Sequence, residues 1–297
     1  MRPVIDDSRA EGGWEPRVLP RQDPFWERLS LAPDPPKEAW ILGKPPDPSL
    51  KIVAIVGSRR PSAYGLSATA HLVRGLAGMP IAIASGLAFG IDAAAHQAAI
   101  DAGLPTVALP GSGLAERVIY PRSHLPLARR IVEAGGCLVS ELAPEEGAAP
   151  WVFPKRNRLI AGISDAVVVV EAARRSGSVI TADLALRENK EVLAVPGPIF
   201  SELSGGTNHL LSQGAAAATC ANDILRAIGL ERAEAPTTPP PDLVPDARNL
   251  LTALTTPLSF DDLADLLRWP PDRTLAAISI LELHGLVEER LGLVRKV

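Results

Sequence analysis

The 297-residue chain is 46% hydrophobic with a formal net charge of -4. It is long enough for two domains, and its bulk charge does not announce a nucleic-acid partner. Cys137 and Cys220 form no CxxC pair and fit a reduced compartment as small apolar residues. No apolar run is long enough to span a membrane, and the polar, proline-rich start does not read as a signal peptide, so a cytoplasmic location is expected.

Residues 1–50 hold ten of the 29 prolines. They read as an extended lead-in, packed loosely on the main domain, with Trp26 and Trp40 as packing anchors and Trp40-Ile41-Leu42 as an edge strand. From Lys51 the pattern alternates strand and helix. Lys51 to Val56 is an apolar, β-branched run that ends in Gly57-Ser58-Arg59 and predicts a buried parallel strand. Tyr64 to Leu76 follows with helical spacing and Leu66, Ala70, Val73 and Leu76 on one face. Ile81 to Ala84 is a second strand, ending in Ser85-Gly86 and a helix to about Ala102. Thr106 to Leu109 is a third, ending in Pro110-Gly111-Ser112-Gly113, and Cys137 to Ser140 a fourth, followed by Glu141. Ala166 to Val170, nearly pure valine, is a fifth, ending in Glu171 and then Arg174-Arg175-Ser176-Gly177-Ser178. A helix from Val179 to Glu188 leads to a sixth strand, Glu191 to Val195. Ala215 to Thr219 reads as a last strand, with Asn222 capping a helix to about Ile228.

This pattern predicts an α/β fold, an extended Rossmann-like, doubly wound and mainly parallel sheet, over 51–230. Glu231 to Asp242, with its triple proline, reads as a linker. Residues 243–297 read as three helices and a hairpin around Gly292, a winged helix.

The strand ends share Gly, Ser or Arg, residues that let backbone approach an anion. Ligands of open parallel sheets bind at the carboxyl ends of the strands. Between Lys51 and Ser178 there are 13 basic and nine acidic side chains, a net of +4, so the remainder carries -8. Positive charge is thus concentrated where the glycine turns are. Lys155, Arg156 and Arg158 cluster beside Phe153, and such cation–aromatic clusters suit phosphates and unstacked bases. A basic helix start with Phe153 in the core is the plainer reading of that cluster alone. Arg59 and Lys155 are the better candidates for phosphate, with Arg122 a third. Arg156 and Asn157 could instead tie the helix start to its neighbours. Arg174 and Arg175 either extend the track or pair with Glu171. Tyr64 reads as core, and His96 as packing or orientation.

The quoted turns occur in an order that resembles the DNA-processing protein A family. The matching stretches are Val53 to Arg59 with Tyr64-Gly65, Ser85 to Asp92 with His96, Gly111-Ser112-Gly113 with Tyr120-Pro121, Ser140-Glu141, Phe153 to Gly162, Glu171 with Ser176-Gly177-Ser178 and Thr181-Ala182, Pro196-Gly197, and Gly205 to Asn208. The resemblance implies a core that binds single-stranded DNA, forms a homodimer, protects incoming strands in natural transformation and helps load the RecA recombinase. It implies no catalytic residue, metal or cofactor. Carried onto matching positions, the expected DNA-binding residues are Gly57, Ser58, Arg59, Gly86, Gly111, Ser112, Arg122, Phe153, Lys155, Arg156, Asn157, Arg158, Ser176 and Gly177. Relatives often begin with a helical SAM-like domain, for which the 50 residues before Lys51 are too few.

The rival is a nucleotide-processing enzyme of the phosphoribohydrolase type. The site of its PGGxGTxxE signature reads Ser176-Gly177-Ser178-Val179-Ile180-Thr181-Ala182 here, without the glutamate, although Glu141 and Glu171 remain candidate acids. A ligand-sensing transcription regulator is a third option. The terminal unit opposes it: residues 243–297 carry six basic and eight acidic side chains, poor equipment for phosphate contact, so a protein-contact or accessory role is expected. The dimer surface is expected within 197–228.

Overall fold

The computed structural model describes residues 14–231, 243–290 and 292–296. It divides into two compact units, 1–232 and 233–297. The expected linker lies, apart from Glu231, outside the described residues.

In the first unit, β1 (Arg17–Val18), α1 (Pro24–Ser30) and β2 (Trp40–Gly43) precede β3 (Lys51–Val56). Then come α2 (Ala63–Arg74), β4 (Ile81–Ser85), α3 (Ile91–Asp101), β5 (Thr106–Ala108), α4 (Leu125–Glu133) and β6 (Cys137–Ser140). After these follow α5 (Val152–Ile163), β7 (Ala166–Val169), α6 (Gly177–Arg187), β8 (Glu191–Ala194), α7 (Gly205–Ser212), β9 (Ala216–Ala217) and α8 (Ala221–Ala227). The sheet order is β1-β2-β6-β5-β4-β3-β7-β8-β9. It is parallel from β6 to β9, with β2 and β1 added antiparallel. This is the expected doubly wound sheet. β3 and β7 are buried because helices cover both faces, which is why their sequences are continuous apolar runs rather than alternating ones.

Chain order proceeds outward from β3 through β4, β5 and β6, then returns to place β7 on the other side of β3. The carboxyl ends of β3 and β7 therefore flank the topological switch point, where open α/β sheets form a crevice.

The lead-in is not loosely packed. Leu19, Phe25, Trp26, Leu29, Ala32 and Ala39 are buried in one of the two clusters that sandwich the sheet. Trp40–Gly43 is not the edge, since β1 lies beyond it. One clamp holds the segment: Arg28 Nη1 donates to Asp165 Oδ2 at 3.0 Å and its Nη2 to Leu50 O at 2.7 Å, while Asp165 also takes Ile52 N at 2.8 Å and Lys51 Nζ at 3.2 Å. A sequence scan for periodicity cannot see this, because the contacts are tertiary and polar.

Two helical assignments also shift. The buried stripe of α2 is Gly65, Thr69, Leu72 and Val73, while Leu66 is exposed. Gly65 is the reason: a Cβ there would strike the Glu171 carboxylate, so the helix turns its small-residue side to the sheet. Asn222 lies inside α8, whose cap is Cys220 with Asp223 reaching back to the Cys220 N–H at 3.1 Å. Cys137 and Cys220 are free thiols.

The second unit contains α9 (Pro245–Ala253), β10 (Leu258–Ser259), α10 (Phe260–Leu267), α11 (Pro271–Leu283), β11 (Val287–Arg290) and β12 (Leu293–Lys296). Its small sheet runs β10-β12-β11. Ser259 caps α10 by accepting from Asp262 N. Leu250, Leu263, Ala277, Leu281 and Val294 form its core. Three helices and a hairpin make it a winged helix. Among the described residues no helix is long and apolar enough to cross a membrane.

Candidate nucleic-acid interface

A cavity of about 670 Å³ opens at the switch point, between the turn after β3 and the amino end of α6. Gly57, Ser58 and Arg59 form one wall, Phe153, Arg156 and Asn157 of α5 another, and Ser176 and Gly177 a third. Eight of the fourteen sequence-expected residues are therefore brought together here.

Each wall has a local cause. Gly57 is needed because a Cβ would lie 2.6 Å from Ile91 Cγ1 and 3.0 Å from Glu171 O. Ser58 N donates to Glu171 O at 2.6 Å, which fastens the β3 turn to the end of β7. Ser176 caps α6 by accepting from Val179 N, so the remaining first-turn N–H groups of that helix point toward the cavity as anion donors. Asn157 Nδ2 donates to Gly177 O at 3.1 Å and holds α5 against that helix start, the tying role left open above.

Arg156 is 5% exposed, yet it lines the cavity. Its Nε has no hydrogen-bond partner and it makes no ion pair among the described residues, whereas Lys155 and Arg158 on the same helix both pair with Glu141. Burial pulls its pKa down to about 10, against the pull of Asp92. A buried guanidinium with an unpartnered donor is costly unless an anion meets it. Gly86 makes room for it, since a Cβ at that position would fall inside the guanidinium. Asp92 is also buried, accepting from Gly86 N at 3.0 Å and Ala88 N at 3.4 Å. Burial raises the Asp92 pKa, offset in part by Arg156 and those N–H groups. The loop between them is held taut. Leu87 has φ +58° and is fully buried, a left-handed backbone that costs a non-glycine residue about 1 kcal/mol.

Arg59 is exposed, with its guanidinium carbon 4.9 Å from the Phe153 ring centroid. This contact fixes a mobile cation over the cavity mouth without neutralising it. Gly111 sits under the same ring, and a Cβ there would approach it to 2.5 Å. On the far side Phe153 meets Tyr120, centroids 5.6 Å apart. The two rings line a second groove of about 470 Å³ that also holds Arg117 and Arg122. Arg122 reaches the Glu116 carbonyl.

Four expected residues are placed differently. Ser112 is fully buried, its hydroxyl donating to Gly113 O and its carbonyl accepting from Ser140. Arg158 is 7% exposed and bound to Glu141 Oε2 at 2.5 Å, so it braces the sheet edge from within. Lys155 is exposed but outside the cavity lining, 3.3 Å from the same carboxylate. Gly86 contributes space rather than contact. Tyr64 is not core. It is 48% exposed and its hydroxyl donates to Pro196 O.

The two candidate acids are structural. Glu171 accepts from Ser62 N at 2.8 Å and Ser62 Oγ at 2.6 Å, anchoring the start of α2, and makes no ion pair with Arg174 or Arg175 among the described residues. Glu141 holds Arg158 and Lys155, and neither glutamate is among the cavity's lining residues. His96 is buried, with Nδ1 2.8 Å from Thr106 Oγ1, and burial lowers its pKa to about 3, so it stays neutral. Asp92, Ser178 and Thr181 line the cavity and Tyr120 lines the second groove, although the expected DNA-binding residues did not include them. Their signal was that all four lie in the stretches quoted for the family resemblance. Among the described residues no cluster of His, Cys, Asp or Glu could hold a metal ion.

Fold and site together define a Rossmann-like protein with a cationic cavity at the switch point, joined in sequence to a winged helix. The chain belongs to the DNA recombination-mediator protein A family, whose sequence model matches residues 17–229. A model of the DprA winged helix domain matches residues 234–292. Among similar proteins, the DNA processing protein DprA of Bacillus subtilis is 40% identical over 211 residues, 70% of this chain and 68% of that protein. The protein Smf of Escherichia coli is 44% identical over 173 residues, of which this chain spans 46% of the relative's length. The solved structure of DprA from Streptococcus pneumoniae superposes with a TM-score of 0.64 and 36% identity, covering 71% of this chain and 73% of that one. A structure of DNA processing protein A from Helicobacter pylori, described by its single-stranded DNA binding mode, gives 0.62 and 29%, covering 72% and 95%.

Proposed function

We propose that this chain binds single-stranded DNA through the switch-point cavity, with phosphate on Arg59, Arg156 and the amino end of α6, and with Phe153 as the aromatic wall. The observation that carries the reading is Arg156: a nearly buried guanidinium that lines the cavity and makes no ion pair among the described residues. The Helicobacter relative's single-strand binding supports it. Lys155 and Arg122 extend the cationic surface on either side, and Lys155 exchanges Glu141 for phosphate. The bound strand is protected and handed to the RecA recombinase during natural transformation, by a homodimer formed through residues 197–228. Ile199 and Phe200 there are 83% and 96% exposed, an apolar pair that a partner surface would cover.

The test is a titration of the pure protein with labelled single-stranded oligonucleotide, duplex and mononucleotides. Length-dependent binding to single strands over duplex supports the reading. Equal binding to duplex, or nucleotide turnover, contradicts it. Stimulated RecA assembly on the bound strand, read by RecA ATPase activity, tests the loading step separately.

A further inference from the structure

We propose that the switch-point cavity receives a whole nucleotide with a terminal phosphate monoester, either a strand end or a free mononucleotide. The inference rests on the single-strand reading and goes further, because that reading needs only a passing phosphodiester.

Two features favour a monoester. The first is size: about 670 Å³ falls within the range of sites that enclose a small organic ligand, well beyond what a grazing phosphate needs. The second is charge. The lining holds two guanidinium groups, Arg59 and Arg156, against one carboxylate, Asp92. Burial raises the Asp92 pKa, which weakens its claim as a counterion. Arg156 is 95% buried, its Nε is unpartnered, and it sits across from the amino end of α6. A monoester brings close to two negative charges and three unshared oxygens, enough to engage both arginines and the helix start together. An internal diester brings one charge, and both of its ester oxygens must lead chain back out. The apolar side of the cavity, with Phe153, Ile160 and Ile180, suits the base and sugar.

The experiment uses the full chain and needs no variant at first. Ten-nucleotide oligothymidylates with a 5′-phosphate, a 3′-phosphate or hydroxyls at both ends are titrated by fluorescence anisotropy, with thymidine 5′-monophosphate and thymidine as competitors. The expected result is at least about tenfold tighter binding of one phosphorylated end, the size of one charge-assisted contact. Thymidine monophosphate, but not thymidine, should displace it. Arg156→Gln should abolish the end preference, bringing the phosphorylated and hydroxyl-ended oligonucleotides to one common, weaker affinity. Equal affinity for all three oligonucleotides, with no competition by the monophosphate, overturns the inference and leaves single-strand binding standing. Binding of the monophosphate alone keeps the inference and removes the single-strand reading. Binding of neither removes both.

Discussion

Gly86→Ala tests the role of Arg156 without changing any charge. Gly86 is not among the residues with positive φ, so alanine is compatible with its backbone. By itself such a change stabilises by about 0.4–1 kcal/mol through the unfolded chain. The Cβ, however, overlaps the Arg156 guanidinium and comes 2.6 Å from Nη2. What must give is the far end of a flexible side chain, so Arg156 leaves the cavity floor and the backbone stays. Overpacking costs about 1–3 kcal/mol when nothing can move. Here the displaced group is one whose burial already lowers its pKa to about 10, so leaving recovers part of that cost. Thermal stability should shift by less than about 5 °C. Affinity should fall by the worth of charge-assisted hydrogen bonds, about 1.5–3 kcal/mol, or roughly 10- to 150-fold. Anisotropy with a labelled oligothymidylate reads affinity, and scanning calorimetry reads stability. The double variant with Arg156→Gln should bind no more weakly than either single one, because both remove the same contact. Wild-type affinity in Gly86→Ala, or additive losses in the double variant, would refute the reasoning.

Three further outcomes follow from other parts of the structure. Asp165→Ala should lower stability by about 1–3 kcal/mol, read by denaturant midpoint, because it releases Arg28 and the lead-in and leaves Ile52 N unpaired. His96 has a pKa of about 3 when folded and about 6.5 when unfolded, so protons bind the unfolded chain first as pH falls. The wild type should therefore lose stability relative to His96→Asn by up to about 1.4 kcal/mol per pH unit between pH 6 and 4, where Asp92, shifted the opposite way, is common to both proteins. A chain ending at residue 231 should keep single-strand affinity within about threefold, since the net charge of -2 over residues 243–297 offers phosphate little; a loss of tenfold or more would assign the winged helix a direct DNA contact.

The sheet was legible because its signal is local. Val53, Val167 and their neighbours form continuous apolar, largely β-branched runs, the first ending in Gly57-Ser58 and the second in Glu171, five residues before Ser176-Gly177. In the terminal unit Ser259 marks the start of the second helix, and Pro271 and Gly285 bracket the third. What stayed hidden depends on tertiary polar contact. Nothing near Arg28 in sequence announces Asp165, and the lead-in looked loose for that reason. Within Phe153 to Arg158 the residue types were readable but their directions were not. One turn of helix sends Arg156 under Gly86 and Arg158 into Glu141, and leaves Lys155 outside. A basic cluster on a helix fixes spacing of about 100° per residue, but which face meets the cavity is decided by the packing of Leu159 and Ile160 in the core.

The most direct measurement is the salt dependence of single-strand affinity in wild type and Arg59→Glu. Arg59 is exposed and stands over the cavity mouth, so its replacement tests binding with little effect on folding. Each phosphate neutralised contributes about 0.7 to the slope of log affinity against log salt for single strands. If the cavity holds the strand, Arg59→Glu should bind at least about tenfold more weakly at low salt, with a slope shallower by about 0.7 or more. An unchanged affinity and slope would contradict the assignment of this cavity to single-stranded DNA.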